Sequence, residues 1–332
     1  MIDTAHKMSA PQVCVLSNPN STGNLARFDQ LRRILENTSH ALHYELSSVD
    51  DIPEALRMFA KTNPVMLIIN GGDGTVQATL SSIVNDKPFD QVPPVAVLAS
   101  GKTNMIAADL GAGGRPTRVL KKLLALAANG KLPARQTQRY LIEMDMGDGH
   151  PPRYGMFFGG GGIVGGIRYC RARIYPLNLP NFLSHILTII LLSGSAITGA
   201  RKKGAALYTE SMKIVMPSGG IVEGRFFAVV ATTLDRLVLG MRPYAREGRG
   251  KLKFSAIDMR ATSILNAMRG ILMGSFGRKS LAGINVRRVN EIRITGNNPV
   301  TLDGELYEVP VGQTVILKGN YVLDFISLRR KP

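Results

Sequence analysis

Five consecutive apolar residues, Val65-Met66-Leu67-Ile68-Ile69, lead within one residue into Gly71-Gly72-Asp73-Gly74-Thr75. An uninterrupted apolar strand of this kind is suited to a parallel sheet covered on both faces. The glycines that follow remove Cβ atoms, so the chain can turn sharply and bring its N–H groups close to an anion. A buried strand that ends in such a turn and restarts as a helix belongs to an α/β layer. Few other arrangements satisfy it.

The flanking sequence keeps the same rhythm. Val13-Cys14-Val15-Leu16 is a short apolar run closed by Ser17-Asn18-Pro19-Asn20-Ser21-Thr22-Gly23, and a helical face follows with Leu25, Phe28, Leu31, Ile34 and Leu35. His43-Tyr44-Glu45-Leu46 reads as a strand, and Ile52 to Ala60 as a helix with Ala55, Leu56 and Phe59 inward. A helix is expected over Val76 to Val84, then the strand Val95-Ala96-Val97-Leu98, a further loop, and a helix through Leu120-Lys121-Lys122-Leu123-Leu124 ending near Asn129-Gly130. Strands alternating with helices predict a doubly wound α/β domain over residues 1–132, with ligands beyond the carboxyl ends of the strands.

From residue 133 to 332 the pattern changes. Tyr140–Met144, Lys213–Met216, Phe226–Val230, Lys251–Phe254, Glu291–Ile294 and Thr314–Leu317 alternate like strands, many of them separated by turn residues. They predict a β-rich sandwich domain with a few helices. Two domains also suit the length of 332 residues.

Charge is concentrated in that second half. The chain carries 41 Lys and Arg against 24 Asp and Glu, a formal charge of +17. Residues 1–135 hold 14 of the bases and 11 of the acids, and residues 136–332 hold 27 and 13. An anionic partner is implied. Trp is absent, and there is no zinc-ligand spacing, RNP aromatic pattern or basic heptad run, so no nucleic acid is expected. Cys14 and Cys170 lack metal-like spacing and suggest a reducing compartment without disulfides. Met1 to Lys7 has no long apolar run and reads as a polar arm, not a signal peptide.

Asp73 supplies a carboxylate that can hold Mg²⁺ against a polyphosphate, and Thr75 places a hydroxyl at the helix start. Lys102-Thr103 suggests a Walker A loop, but the position of its first glycine is Ala96, inside a strand, so that motif is rejected.

The Gly71–Thr75 pentad resembles the signature shared by diacylglycerol, sphingosine and ceramide kinases, NAD kinases and phosphofructokinases. Asn18-Pro19-Asn20-Ser21-Thr22-Gly23 resembles the nucleotide-contacting Asn-Pro-x-Ser-Gly segment of the lipid kinases, and Ser100-Gly101-Lys102-Thr103-Asn104 resembles their third nucleotide loop. Leu302-Asp303-Gly304-Glu305 resembles their Asp-Gly-Glu, whose glutamate is taken as the general base. The resemblance implies the diacylglycerol kinase catalytic family, with a phosphofructokinase-like and NAD-kinase-like first domain and a lipid-binding β domain. It further implies ATP and Mg²⁺, nucleotide contacts from Asn18, Pro19, Asn20, Ser21, Thr22, Gly71, Gly72, Asp73, Gly74, Thr75, Lys102, Thr103 and Asn104, and catalysis by Asp73 and Glu305.

The pattern departs from the family in places. Lys102 stands where Thr is usual, Met105 where an Asp commonly follows, and Gln77-Ala78 where Asn-Glu is frequent. Arg249, within Arg246–Lys251, occupies the Asp of a secondary Mg²⁺ site unless a slip makes Glu247 the ligand; that second site is not expected. Phe157-Phe158-Gly159-Gly160-Gly161-Gly162-Ile163 matches a glycine-rich bend in relatives, either lining the acceptor or packing a strand on a helix.

Phe182 to Ala200, followed by Arg201-Lys202-Lys203, is apolar but interrupted by polar residues. It reads as an interfacial helix in preference to a span or a buried helix. Ile264 to Phe276, with Arg269, Arg278 and Lys279 nearby, is open between core packing and membrane docking. The expected protein is a cytoplasmic lipid kinase at the inner face of an anionic membrane, its acceptor diacylglycerol, ceramide or a sphingoid base, with room for a homodimer. An NAD kinase-like enzyme and a pseudokinase that binds lipid or nucleotide are the competing readings.

Overall fold

The computed structural model describes residues 12–174, 194, 209–237, 248–277 and 281–329. The chain forms two compact units. The first holds residues up to Gln138 and again from Leu323; the second is Arg139–Val322. The boundary therefore falls six residues later than the expected 132, and the end of the chain returns to the first unit.

In the first unit the predicted βα alternation is present. Its elements are β1 (Val13–Ser17), α1 (Phe28–Glu36), β2 (Ala41–Glu45), α2 (Ile52–Ala60), β3 (Met66–Gly71), α3 (Asp73–Asp86), β4 (Val95–Ala99), α4 (Met105–Asp109) and α5 (Pro116–Ala128). The strands pair in parallel in the order β2-β1-β3-β4, with Val13 opposite Met66 and Leu67 opposite Val95. β1 and β3 are buried along their whole length, as continuous apolar strands require. The connection from β1 goes to one side of the sheet and that from β3 to the other, so the order reverses between these two neighbours. That is where open α/β sheets place a ligand.

Two local expectations are corrected. α3 starts at Asp73 instead of Val76, because Gly72 adopts an extended conformation that serves as its N-cap. α1 starts at Phe28, leaving Leu25 outside the helical face and 72% exposed.

What holds the returning C-terminal stretch is specific. Phe325 pairs in parallel with Val95, and Leu328 N–H donates to the Leu110 carbonyl at 2.8 Å. Arg329 Nη2 lies 3.2 Å from Oδ1 of Asp109, a fully buried carboxylate. Gly111, at φ 75°, makes room: a Cβ there would stand 2.7 Å from the Arg329 nitrogen.

The second unit is antiparallel and β-rich, as expected. It contains most of β5 (Gln136–Asp145), β6 (Arg153–Gly155), β7 (Phe157–Gly160), α6 (Gly162–Tyr169), β8 (Met212–Met216), β9 (Gly220–Gly224), β10 (Phe226–Thr232), β11 (Leu252–Asp258), α7 (Ala261–Leu272), β12 (Ile284–Val289), β13 (Glu291–Thr295), β14 (Val300–Leu302), β15 (Glu305–Tyr307) and most of β16 (Thr314–Ile326). One sheet runs β16-β13-β8-β9, with β5 pairing β16 and β6. The other runs β12-β11-β10-β7-β14-β15. Their inner faces share one core that includes Met144, Phe158, Ile214, Phe226, Phe254, Ile292 and Leu317. α7 packs on the far side of the second sheet through Ile264 and Ala267 against Ala228, Ile257 and Ile284.

The Phe157–Ile163 bend serves close packing. Gly161 sits at φ 64°, and a Cβ there would stand 2.6 Å from the Phe226 carbonyl oxygen. Cys14 and Cys170 are both buried free thiols. Met1 to Lys7, the expected Phe182–Ala200 helix apart from Gly194, Arg201-Lys202-Lys203, Arg246, Glu247, Arg278 and Lys279 lie outside the described residues. Among the described residues no helix is long and apolar enough to cross a membrane.

Removing Arg329 takes one cation away from the buried Asp109 carboxylate. Arg329→Ala is expected to destabilise the first unit by about 3 kcal/mol, read as a lowered urea midpoint, with partial recovery in Arg329→Lys.

Candidate active site

Three loops leave the carboxyl ends of β1, β3 and β4, and the glycines let them touch. Gly72 and Gly101 meet backbone to backbone: a Cβ on Gly101 would lie 2.6 Å from the Gly72 Cα. A Cβ on Gly23 would lie 2.8 Å from the Ser100 carbonyl oxygen, which accepts the Gly23 N–H at 2.8 Å. Gly71 packs against Thr75, whose Cβ would be 2.6 Å from an added methyl. The glycine spacing read in the sequence is thus a steric requirement between loops, beyond the requirement of a single turn.

Side chains then fasten one loop to the next. Asn18 Nδ2 donates to Thr75 Oγ1 at 2.9 Å, and the Gly72 N–H donates to Ser21 Oγ at 3.0 Å. The Asn104 N–H donates to Asp73 Oδ2 at 2.9 Å, while the Asn104 side chain closes its own loop through both Gly101 backbone groups. Asn104 is held at φ 54°, ψ 37°, a left-handed conformation that Asn tolerates well. Asn18, Ser21, Thr75 and Asn104 therefore position the cradle. Pro19, Asn20, Thr22, Gly74, Lys102 and Thr103 sit on the same three loops and all keep solvent access.

At the start of α3 the helix geometry leaves first-turn N–H groups without intrahelical partners, and no side chain of the N-cap Gly72 covers them. Such a helix start can receive an anion. Asp73 in the first turn supplies a hard oxygen ligand. No group of three or more acidic, His or Cys side chains gathers here or elsewhere among the described residues. One carboxylate beside a polyphosphate fits Mg²⁺, which keeps waters and phosphate oxygens as its main ligands.

Sequence reasoning missed the layer beneath the loops. Ser17, Asn70 and Ser100, at the ends of the three strands, are fully buried. Ser100 Oγ donates to Asn70 Oδ1 at 2.6 Å, and Asn70 Nδ2 donates to Ser17 Oγ at 3.0 Å. Ser17 Oγ is in turn 2.9 Å from His43 Nε2 on β2. The available signal was three polar residues closing three apolar strands.

Glu305 lies in the second unit, at the first position of β15, and is exposed. Asp303 and Gly304 have φ of 47° and 91°, and Leu302 pairs with Glu305, which makes a two-residue hairpin turn with both centres left-handed. The Asp303 carboxylate is buried and accepts the N–H groups of Met156 (3.0 Å) and Phe157 (2.9 Å). Its own N–H donates to the Phe157 carbonyl at 2.8 Å. Gly155 leaves space for it, since a Cβ there would stand 2.4 Å from Asp303 Oδ2. Asp303 was part of the recognised motif without a role; its role is to clamp the turn that carries Glu305.

Two outcomes follow from these contacts. Gly101→Ala forces the third loop away from the second; nucleotide affinity is expected to fall about tenfold or more by calorimetry, since overpacking costs about 1–3 kcal/mol. Burial pushes the His43 imidazole below its ordinary 6.5 despite Glu45 Oε1 at 3.7 Å, so the folded chain disfavours its charged form. The unfolded chain takes up that proton first. Stability contributed here is complete above pH 6.5 and is lost as pH falls from 6.5 through the lowered folded value, and His43→Gln should flatten the urea midpoint over that window.

Residues 12–131 match the family model described as the diacylglycerol kinase catalytic domain. A crystal structure of a diacylglycerol kinase from Bacillus anthracis str. Sterne is similar over 97% of this chain and 98% of its own, with a TM-score of 0.61 and 15% identity. Two further structures from that organism, whose diacylglycerol kinase designation is provisional, give TM-scores of 0.63 and 0.64 at 16% and 14% identity. These cover 97% and 96% of this chain and 98% of theirs; at such identities they speak to the fold. No curated protein matches the sequence. The loops of β1, β3 and β4 all lie inside the segment that matches the diacylglycerol kinase catalytic domain.

Proposed function

We propose that this chain is an ATP-dependent lipid kinase acting on the primary hydroxyl of a membrane lipid, either diacylglycerol or a ceramide or sphingoid lipid. The observation that carries the reading is the Gly72–Gly101 contact, which shapes a Cβ-free cradle from the loops of β1, β3 and β4 at the switch point of the sheet. That cradle suits a triphosphate.

In the proposed reaction the lipid hydroxyl oxygen forms a bond to the γ-phosphorus of ATP while the bond from phosphorus to the β–γ bridging oxygen breaks. ADP leaves, and the hydroxyl proton passes to the Glu305 carboxylate. Mg²⁺, when bound, neutralises phosphate charge, with Asp73 as its protein ligand. The Asn104 N–H holds Asp73 in orientation. Lys102 adds positive charge beside the phosphates, and the first-turn amides of α3 receive phosphate oxygens. The exposed Glu305 at the head of a clamped hairpin suits a base that must meet a substrate. The enzyme works as a peripheral protein at an anionic membrane face, drawn there by its basic second half.

The decisive measurement is incubation with γ-labelled ATP and a panel of diacylglycerol, ceramide, sphingosine and NAD. Label in one lipid class is expected. Label in NAD would replace this reading with an NAD kinase-like one, and nucleotide binding without any labelled acceptor would make the chain a pseudokinase. Glu305→Gln is expected to lower kcat about 100-fold or more with nucleotide affinity unchanged; wild-type turnover in that variant would remove Glu305 from the mechanism.

A further inference from the structure

The apolar stretch from Ile264 to Phe276 has two faces with different fates. Ile264 and Ala267 are buried in the layer between α7 and its sheet, and Met268 and Phe276 pack against that layer. Leu265, Ile271, Leu272 and Met273 are exposed by 47%, 36%, 83% and 77%. Of the nine large apolar side chains exposed among the described residues, these four fall within nine consecutive positions. Single exposed leucines are ordinary, but a cluster of this kind marks an interaction surface. Core packing accounts for one side of α7 and leaves the other unexplained.

The exposed tip is held firmly. Gly274, at φ 61°, ends α7 with its N–H on the Ile271 carbonyl, and the N–H groups of Ser275 and Phe276 both donate to the Gly270 carbonyl. Phe276 thereby folds back onto the core while Leu272 and Met273 are left projecting at the helix end. The turn presents two large apolar side chains to solvent on an ordered support.

Charge selects the occupant. Between Met259 and Asn290 there is no Asp or Glu, while Arg260, Arg269, Arg278, Lys279, Arg287 and Arg288 are all basic. Arg260 is paired to Asp258 beside it, and Arg269 is exposed on α7 between Leu265 and Leu272. A second copy of this chain would bring the same positive field against itself. An apolar tip with cations alongside matches an anionic bilayer, with leucine and methionine entering the acyl boundary and arginine remaining at the headgroups.

We infer that the C-terminal end of α7, Leu272 and Met273 with Leu265 and Arg269 behind them, inserts into the anionic lipid surface on which this protein acts. The inference deepens the lipid-kinase reading by naming the element that meets the membrane, and it rests on that reading for its purpose alone. Insertion itself requires no turnover.

The chain has no tryptophan, so Met273→Trp places a single emitter at the tip. With vesicles of phosphatidylglycerol and phosphatidylcholine, Met273→Trp emission should shift to the blue and be quenched by brominated acyl chains; phosphatidylcholine alone should give neither. In the otherwise native chain, Leu272→Asp with Met273→Asp should weaken vesicle binding about tenfold or more and leave phosphorylation of a detergent-dispersed acceptor unchanged. The inference is overturned if the protein sediments with vesicles while Met273→Trp emission stays constant, or if the double variant binds as the native chain does. It is equally overturned if emission of the free protein is already blue-shifted and depends on protein concentration, which would put a second copy on the tip. A blue shift on vesicles with no labelled lipid acceptor would instead remove the kinase reading and keep the docking surface.

Discussion

The three-loop cradle depends on two backbones approaching where no side chain can stand. Gly72 follows β3 and Gly101 follows β4, and the 2.6 Å separation that a Cβ would have is shorter than real Cβ contacts allow. The approach brings the third loop close enough for the Asn104 N–H to reach Asp73. Asp73 is thus oriented by an amide from a different strand connection, which is why a single substitution in the third loop can reach the chemistry of the second. Beneath this contact, Asn70 uses both ends of its amide to join Ser17 and Ser100. A buried amide with both ends bonded fixes the spacing of its neighbours, and losing one end costs the desolvation of the other.

The legible parts of the fold were those set by local pattern. Val65 to Ile69 announced a doubly covered strand, and the glycine pentad announced a turn into a helix; both are present as read. The start of α3 was placed three residues late because Asp73, Gly74 and Thr75 look like loop residues by composition, whereas the extended Gly72 already supplies the cap. Leu25 matched the apolar period and still lies outside α1, since periodicity cannot tell where a helix begins. The return of the chain end to the first unit could not be read at all. It rests on Phe325 opposite Val95 and Arg329 beside Asp109, contacts between residues more than 200 positions apart that leave no local mark.

For the site, sequence gave the three loops and the hairpin but assigned several side chains only to ligand contact. Asn18, Ser21, Thr75 and Asn104 bond to neighbouring loops, so part of their chemistry is spent on shape. The buried Ser17, Asn70 and Ser100 escaped notice because each is one polar residue at the edge of an apolar run. Met105, standing where relatives often carry an acid, is buried in the body of the first unit. An acid there would have to be paired or neutral. Asp73 is therefore the one carboxylate among these three loops, and the positive charge of Lys102 fits a site with fewer acids to balance.

The hairpin at Asp303 shows how one turn separates two carboxylates by task. Asp303 is buried, takes amide protons from Met156 and Phe157, and accepts a left-handed backbone; Glu305 two residues later is exposed. The backbone donors fix the Asp303 carboxylate in place. The exposed Glu305 is open to solvent. Swapping their positions along the turn would bury Glu305 and release the anchor. The order Asp-Gly-Glu thus follows from the register of a two-residue turn against a strand whose Gly155 leaves room for one carboxylate and no Cβ.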